Sequence, residues 1–247
     1  KNVTVKGDLG QSAAGKTDKN GELTVPEVEQ TERHGIYIVG YTDGTFGPSR
    51  SMTRSEAAAI FARLLAEKNG DTISTAANTK FADIPAHAWY SGYVKYLSNN
   101  GITYGKSKTI FAPNDAITRA EFTTMAVRFF DVYGDGDAEI MEQFSGFNDV
   151  SSGYWAAEYI KYAALHGWIN GYGDGSFHAD REINRAEVVT IVNRLLGREA
   201  DEDYIADNLR KLNTFPDVTK RHWAYYAVME AANAHTAVLG ENESWSK

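Results

Sequence analysis

Three arginines stand at nearly equal spacing, each as the second residue of a four-residue motif. The motifs are Thr53-Arg54-Ser55-Glu56, Thr118-Arg119-Ala120-Glu121 and Asn184-Arg185-Ala186-Glu187. An arginine at the first position of a helix lies at the positive end of the helix dipole, where a cation costs about 0.3–1 kcal/mol. Because unpaired N–H groups at a helix N-terminus bind anions, this recurrence predicts a repeated anion site. The alternative is an arginine that folds back onto a nearby aspartate as a structural pair.

Each motif also carries the signals of a helix start. Thr and Asn are favoured N-cap residues, and a Glu three positions later completes a capping box. Behind each motif, apolar residues recur at i, i+3, i+4, i+7 and i+8, which is typical of one wide apolar helix face. They are Ala57, Ile60, Phe61, Leu64 and Leu65, then Phe122, Met125, Ala126, Phe129 and Phe130, then Val188, Ile191, Val192, Leu195 and Leu196. Three such helices are predicted to pack around an approximate threefold axis.

Composition narrows the function classes. The 247 residues are 43% hydrophobic, which is enough for a core, and the formal net charge of −8 argues against nucleic acid or an anionic membrane as partner. The chain has no cysteine and no run of 18 apolar residues. Disulfides, thiolate metal sites and a membrane span are therefore not predicted. The six histidines do not recur with the motifs, so we predict neither a metal site nor a cofactor.

A second block of residues also occurs three times. A phenylalanine is followed by an aspartate two positions later and by a tryptophan eight positions later. The three sets are Phe81, Asp83 and Trp89; Phe147, Asp149 and Trp155; and Phe215, Asp217 and Trp223. Each tryptophan opens a short helical pattern. The aspartates are predicted to make Asx-type turns or caps, and core packing is favoured for the tryptophans over ligand contact, although one ring can serve both.

Glycine-rich turns precede the arginine motifs. Gly40 and Phe46, Gly105 and Phe111, and Gly171 and Phe177 are each six residues apart. An Asp-Gly pair within two of these stretches favours a tight turn. A phosphate-cradling loop is the alternative, but the glycine spacing from Gly171 to Gly175 fits neither a dinucleotide fingerprint nor a P-loop.

The order of the blocks predicts how the chain is divided. Two complete units occupy residues 80–131 and 146–197, and half units occupy 36–68 and 213–237. Since a repeat buries its apolar face only against neighbours, we predict that the two halves complete each other, with both ends close together. The repeat region is assigned to 31–247, and 1–30 to a linker or the tail of a preceding β domain, with strands at 1–6 and 21–26. The acidic 131–139 stretch is interpreted as a solvated loop, with calcium binding as the alternative, and 199–212 as a surface helix.

Taken together, the Phe-x-Asp, Trp-Ala, Gly-Tyr-x-Asp-Gly-x-Phe and Thr-Arg-Ala-Glu sequences resemble the S-layer homology (SLH) module, over residues 36–237. The resemblance implies a mainly α fold, a pseudo-threefold bundle of three helix–loop–helix modules with a short β-like N-terminal segment. It also implies a non-catalytic cell-wall anchor that binds an anionic secondary cell-wall polysaccharide, often pyruvylated, in grooves between modules. The expected location is extracellular, at the bacterial cell wall or S-layer, as one part of a longer surface protein.

The resemblance carries roles over to particular residues. Arg54, Arg119 and Arg185 are expected to meet the acid group, and Trp89, Trp155 and Trp223 to line or buttress the grooves. Gly40, Tyr41, Gly171 and Tyr172 are expected to shape the groove walls. The aspartates Asp83, Asp149 and Asp217 complete the expected glycan-binding set.

Departures from the motif predict unequal grooves. The second unit has Lys106-Ser107-Lys108-Thr109 where the others have Asp-Gly, and the third has Asn184 and Ala179 in place of Thr and Pro. We therefore expect one or two good grooves rather than three. Two other functions stay open at this point: a carbohydrate hydrolase with paired carboxylates, and a structural S-layer assembly piece that binds no glycan.

Overall fold

The computed structural model of the chain describes residues 2–6, 12–17, 23–24, 30–134, 144–239 and 243–246. Most of the acidic 131–139 stretch lies outside the described residues. The described chain is mainly helical, as predicted. Its elements in order are β1 (Asn2–Lys6), β2 (Ser12–Thr17), β3 (Leu23–Thr24), β4 (Gln30–His34), α1 (Arg54–Asn69), α2 (Ser91–Asn99), α3 (Arg119–Tyr133), α4 (Ala157–Leu165), α5 (Arg185–Leu196), α6 (Glu202–Asn208), a 3-10 turn (Leu209–Lys211), α7 (Tyr225–Ala232), β5 (His235–Leu239) and β6 (Ser244–Ser246).

The three arginine motifs begin helices α1, α3 and α5, as the sequence predicts. Each helix starts at its arginine and has a complete capping box, with Thr53, Thr118 or Asn184 as the N-cap. Helices α1 and α5 end at Gly70 and Gly197, whose left-handed backbone favours glycine. The predicted apolar faces are buried except for Phe130 and Leu196, which are half-buried.

The residues two positions before the arginines form a closed ring of backbone hydrogen bonds. Met52 N–H donates to Ile183 O, Ile183 N–H to Ile117 O, and Ile117 N–H to Met52 O, at 2.9, 3.0 and 2.9 Å. All three side chains are fully buried. The three helix starts therefore meet at one point in the core.

Each motif helix packs against a short helix that begins after one of the recurrent tryptophans. Helix α2 lies on α1, α4 lies on α3, and α7 lies on α5. The short helices begin two residues after Trp89, Trp155 and Trp223. The predicted surface helix within 199–212 is α6 with its 3-10 turn, and Ile205 attaches it to the core.

The recurrent aspartates hold the glycine-rich turns. Each carboxylate accepts hydrogen bonds from two consecutive backbone N–H groups, at 2.6–3.2 Å. The donors are Phe111 and Ala112 for Asp83, Phe177 and His178 for Asp149, and Phe46 and Gly47 for Asp217. The prediction of local Asx turns or caps is therefore wrong, because the partners lie 28 or more residues away along the chain. The second residue of each pair has a positive φ, of 54–68°, so the carboxylate holds a backbone conformation that costs free energy in Ala112 and His178.

Two small antiparallel sheets complete the fold. One has the order β1-β2-β3 and the other β4-β5-β6. The sequence predicted strands at both ends of the first sheet but missed β2, and it missed the second sheet. The half unit predicted at 213–237 ends inside a strand, because His235–Leu239 pairs with Gln30–His34. Alternation over five residues is a weak signal, and the partner strand lies 201 residues away.

The close packing of Gly171 gives a first prediction. A Cβ added there would lie 2.5 Å from the Phe147 ring and 2.7 Å from Ser176 O, whereas one at Gly173 would meet nothing within 4 Å. We expect Gly171→Ala to lower the free energy of unfolding by about 1–3 kcal/mol and Gly173→Ala to change it by less than about 0.5 kcal/mol. Urea unfolding measures both, and equal effects would contradict this account of the turn.

The aspartate contacts give a prediction for acid stability. Burial opposes ionisation of Asp149 and Asp217, but the backbone N–H donors outweigh it and lower the pKa of each carboxyl below its ordinary 3.8. A pKa lowered on folding stabilises the protein above the ordinary value, and this stabilisation is lost as the pH falls through the folded-state pKa. We expect the stability difference between the wild type and Asp149→Asn to shrink as the pH falls from about 5 to about 2.5. A difference in urea midpoints that does not change with pH would contradict this.

Candidate functional site

The three motif arginines reach across unit boundaries. They are 4–5% exposed, and each Nε donates to the carbonyl of a turn phenylalanine in another unit. Arg54 donates to Phe111 at 2.7 Å, Arg119 to Phe177 at 2.9 Å, and Arg185 to Phe46 at 2.8 Å. The three contacts therefore form a cycle, in which the arginine of each unit bonds to the turn of the next.

The motif glutamates follow the same cyclic order. Arg54 pairs with Glu121 at 2.9 Å, Arg119 with Glu187 at 3.2 Å, and Arg185 with Glu56 at 3.9 Å. The other carboxylate oxygen of each glutamate accepts the N-cap N–H of its own helix, at 2.8–3.0 Å. The arginines thus form structural ion pairs, which was one of the two alternatives drawn from the sequence. Their partners are glutamates of another unit rather than nearby aspartates.

The helix N-termini are not open anion sites. In α1, the N–H groups of Arg54 and Ser55 donate to carbonyls of Asp115 and Pro113, both at 3.0 Å. The equivalent donors of α3 and α5 bond to carbonyls of Arg181, Ala179, Arg50 and Pro48. The prediction of unpaired N–H groups for an anion is therefore wrong, because the loops of neighbouring units cap the helix starts.

Burial changes the character of the arginines without removing their charge. Burial lowers the pKa of both Arg119 and Arg185. Tyr172 and Glu187 partly offset this shift in Arg119, and Tyr41 and Glu56 do so in Arg185. Guanidinium stays protonated even so. Each group is a fixed positive charge, and at least two of its N–H donors already bond within the protein.

Two equivalent grooves open beside these charges, each with a volume of about 260 Å³. Each contains a motif arginine, a turn tyrosine, a motif glutamate, an isoleucine, a second arginine and a tryptophan. The Arg185 groove has Arg185, Tyr41, Glu56, Ile60, Arg63 and Trp89. The Arg119 groove has Arg119, Tyr172, Glu187, Ile191, Arg194 and Trp223. Gly40 and Gly171 lie at matching positions in the two walls.

Trp89 and Trp223 line the two grooves, and Trp155 is exposed like them. Trp89, Trp155 and Trp223 are 53%, 57% and 65% exposed, so the preference for core packing was wrong. The interior position is taken by the phenylalanine eight residues earlier, whose ring contacts the turn phenylalanine at centroid distances of 5.1–5.5 Å. An exposed indole face beside a cationic groove suits the ring face of a sugar.

A second recurrent arginine was missed from the sequence. Arg63, Arg128 and Arg194 each follow the motif arginine by nine residues, and they are half-buried or exposed. Arg63 donates to Tyr37 O at 3.4 Å, and Arg128 to Tyr159 Oη at 3.1 and 3.3 Å. The nine-residue recurrence was visible, but it did not distinguish a groove residue from the solvated side of a helix.

The surroundings of Arg54 differ from those of the other two arginines. The guanidinium carbons of Arg185 and Arg119 lie 4.7 and 5.2 Å from the ring centroids of Tyr41 and Tyr172. At the equivalent position beside Arg54 the sequence has Lys106, which pairs with Asp115 at 2.8 Å. The aromatic wall of the two grooves is thus replaced by a lysine at this position.

The fold and the grooves define a repeat protein of helical modules with aromatic and cationic clefts between them. The family model for the S-layer homology domain matches residues 24–58, 80–123 and 146–189. The chain belongs to this family, as three tandem modules. Membership makes the segment non-catalytic, in agreement with the sequence-based prediction. Of the helices in the described residues, none is both long and apolar enough to cross a membrane.

Several curated proteins are similar to this chain. Cell surface glycoprotein 1 of Acetivibrio thermocellus is 34% identical over 85% of the chain and 9% of that protein, and the cellulosome-anchoring protein of the same organism is 30% identical over 94% and 49%. The surface-layer 125 kDa protein of Lysinibacillus sphaericus is 32% identical over 64% of the chain and 13% of that protein. The chain thus spans half or less of the length of these relatives.

The burial of the inner arginine gives a stability prediction. Arg119→Met leaves Phe177 O without its side-chain donor, while Glu187 keeps Arg181 and Tyr172 as partners. Leaving a buried acceptor unsatisfied in this way costs about 1–3 kcal/mol. Arg194→Gln, on the exposed side of the same groove, is the matched control and should cost less than about 0.5 kcal/mol. Urea unfolding of both variants tests this, and two equally stable variants would mean that Arg119 does not hold the modules together.

Proposed function

We propose that this segment anchors a surface protein to the bacterial cell wall by binding an anionic secondary cell-wall polysaccharide in its grooves. The family and the relatives named for anchoring and surface layers support the anchoring role. The single observation that carries the glycan site is that the Arg185 and Arg119 grooves repeat the same six residue types. Two equivalent sites on one segment also allow bivalent attachment to a repeating polymer.

The polar chemistry of the grooves fits an acidic sugar. A pyruvate ketal carries a carboxylate, and guanidinium groups are the preferred bidentate partners of carboxylates. Because Arg119 and Arg185 are buried, donate to carbonyls and lie beside a glutamate, we assign them the role of fixed positive charges. The more exposed Arg63 and Arg194 are assigned the direct contact with the acid group.

The aromatic residues are assigned to the sugar ring. Trp89 or Trp223 offers an exposed indole on one side, and Tyr41 or Tyr172 stands on the other. Gly40 and Gly171 let the wall approach Phe215 and Phe147 closely. Asp83, Asp149 and Asp217 act as positioning residues in this proposal, since their oxygens already hold the turns.

We further propose that the modules form a pseudo-threefold ring in which residues 36–68 and 213–237 make one split module. The closed hydrogen-bond ring and the cyclic arginine–glutamate pairs support the pseudo-symmetry. Three contacts support the split module: Asp217 holds the turn at Phe46, the rings of Phe46 and Phe215 touch, and Tyr37 N–H donates to Ala231 O at 3.3 Å. The assignment of 31–247 to this domain, and of 1–30 to a flanking segment, remains part of the proposal.

The two grooves with a tyrosine wall are proposed to bind, and the position beside Arg54 is proposed to bind weakly. Lys106 stands there in place of the tyrosine, so the ring that faces the motif arginine in the other two grooves is missing. Trp155 remains as the matching exposed indole. The whole protein is proposed to be extracellular, with this segment as its wall-binding part.

Titration of purified wall polysaccharide, followed by calorimetry, tests the proposal. We expect Arg194→Gln with Arg63→Gln to weaken binding by at least about tenfold, because each removes a charge-assisted hydrogen bond of about 1.5–3 kcal/mol. Trp89→Ala with Trp223→Ala should do the same through lost stacking, whereas Trp155→Ala is the matched control and should change affinity by less than about threefold. Mild acid removes the pyruvate ketals from the polysaccharide, and it should abolish the part of the binding that depends on Arg63 and Arg194.

These variants lie on the exposed side of the grooves, so loss of binding is separable from loss of folding. Binding that is unaffected in both double variants would overturn the groove assignment. Binding that survives removal of the ketals would identify another acidic group as the ligand. A chain that binds no wall polymer at all would leave the structural assembly role in place of the anchor.

A further inference from the structure

Two histidines and two glutamates meet where β4 lies beside the C-terminal elements. His34 ends β4, Glu230 lies on α7, His235 begins β5, and Glu243 directly precedes β6. His34 and His235 are directly opposite each other in the β4–β5 ladder, so their side chains project from the same face. His34, His235 and Glu230 are 1–6% exposed, and the side chain of Glu243 is 5% exposed. All four ligand atoms lie within 4.8 Å of one another.

The distances from the histidine nitrogens to each other and to the carboxylate oxygens are typical of neighbouring zinc ligands. His34 Nδ1 lies 3.2 Å from His235 Nε2, and 3.3 Å from an oxygen of Glu230 and of Glu243. His235 Nε2 lies 3.3 Å from oxygens of the same two glutamates. Zinc bonds to nitrogen and oxygen of about 2.0–2.1 Å place neighbouring ligands of a tetrahedron about 3.3 Å apart. The two histidines and Glu243 thus have the mutual spacing of zinc ligands, and Glu230 presents one oxygen at that spacing to each histidine.

Glu230 needs a positive partner at this point. Both of its carboxylate oxygens are buried, and neither has a hydrogen-bond partner, although imidazole nitrogens lie 3.3 Å away. A buried carboxylate without a partner is strongly unfavourable. A cation between the four groups satisfies it and balances the charges of Glu230 and Glu243 together.

The outer contacts orient the ligands. His235 Nδ1 lies 3.0 Å from Asn233 O, which favours the tautomer with a proton on Nδ1 and a lone pair on Nε2. Trp245 stacks on the His235 ring at 3.8 Å and donates its indole N–H to Glu243 at 3.1 Å. Glu199 N–H donates to the other Glu243 oxygen at 2.9 Å. Such outer-shell hydrogen bonds are typical of protein metal sites.

We propose that His34, Glu230, His235 and Glu243 bind one zinc ion, which joins β4 to the C-terminal elements α7, β5 and β6. With four protein ligands the site is closed and its role is structural. Calcium takes six to eight oxygens at about 2.3–2.6 Å, and two imidazole nitrogens do not fit that preference. The sequence-based prediction of no metal site missed this cluster because the two histidines are 201 residues apart in the chain.

The competing account is a metal-free cluster balanced by a proton. Burial works against a charged His34, but its contacts with Glu230 and Glu243 outweigh burial and raise its pKa to about 9. Buried Arg198 lowers that pKa, and exposed Glu32 lies 3.9 Å from His34 Nε2. In this account the cluster is an ion-pair network, and added zinc has no specific site.

The full chain, without glycan, tests the two accounts. After dialysis against EDTA, we expect one equivalent of zinc chloride to raise the melting temperature by several degrees, and calcium chloride at the same concentration to leave it unchanged. Cobalt chloride should give the intense visible absorption of a tetrahedral Co²⁺ site, and zinc should displace it. Glu230→Gln should weaken zinc binding by at least about 100-fold, with exposed His87→Gln as the matched control that binds like the wild type.

The cobalt titration of the wild-type chain needs no variant to fold. No zinc-specific shift in melting temperature, or a cobalt spectrum without tetrahedral bands, would overturn the proposal in favour of the protonated cluster. Zinc binding by Glu230→Gln as tight as in the wild type would also overturn the assigned ligands. None of these measurements involves the polysaccharide, so failure here leaves the proposed anchoring role untouched.

Discussion

The structure depends on the mutual capping of three helix starts at the centre of the fold. Three backbone hydrogen bonds close a ring at Met52, Ile117 and Ile183, and the first N–H groups of each motif helix bond to carbonyls of a neighbouring unit. A helix leaves four backbone donors unpaired at its N-terminus, and burying them without partners is costly. The three units satisfy this requirement for one another, so none of the helix starts is complete alone.

The arginine and glutamate of each motif extend the same constraint outward. The glutamate caps its own helix with one oxygen and meets an arginine of another unit with the other. The arginine in turn holds the carbonyl of a turn phenylalanine. One side-chain pair therefore sets helix start, turn position and the contact between units, and the grooves beside Arg185 and Arg119 are consequences of that contact. In each of these grooves the second arginine and the tryptophan are more exposed than the motif arginine.

Closure of the repeat region rests on segments from opposite ends of the described chain. The β4–β5 ladder, the Asp217 contact with the turn at Phe46, and the cluster around Glu230 all join the N-terminal part to the C-terminal part. These contacts are made by different chemistry: backbone pairing, a carboxylate on two N–H groups, and imidazole beside carboxylate. The Arg185 groove also joins distant segments, because residues 38–63 line it together with Trp89 and with Arg185 of α5.

The sequence by itself determined the features that depend on neighbouring residues. The capping boxes at Thr53, Thr118 and Asn184 and the apolar helix faces follow from spacings of three to eight residues, and they were predicted correctly. Only the tertiary structure decided which hydrogen-bond donors, acceptors and charges are partners. It placed the helix N–H donors on carbonyls, Asp83 and its counterparts on distant turns, the tryptophans at the surface and His34 opposite His235. The reason is that a periodic pattern specifies one face of an element, whereas hydrogen-bond and charge partners are chosen by contacts between segments far apart in the chain.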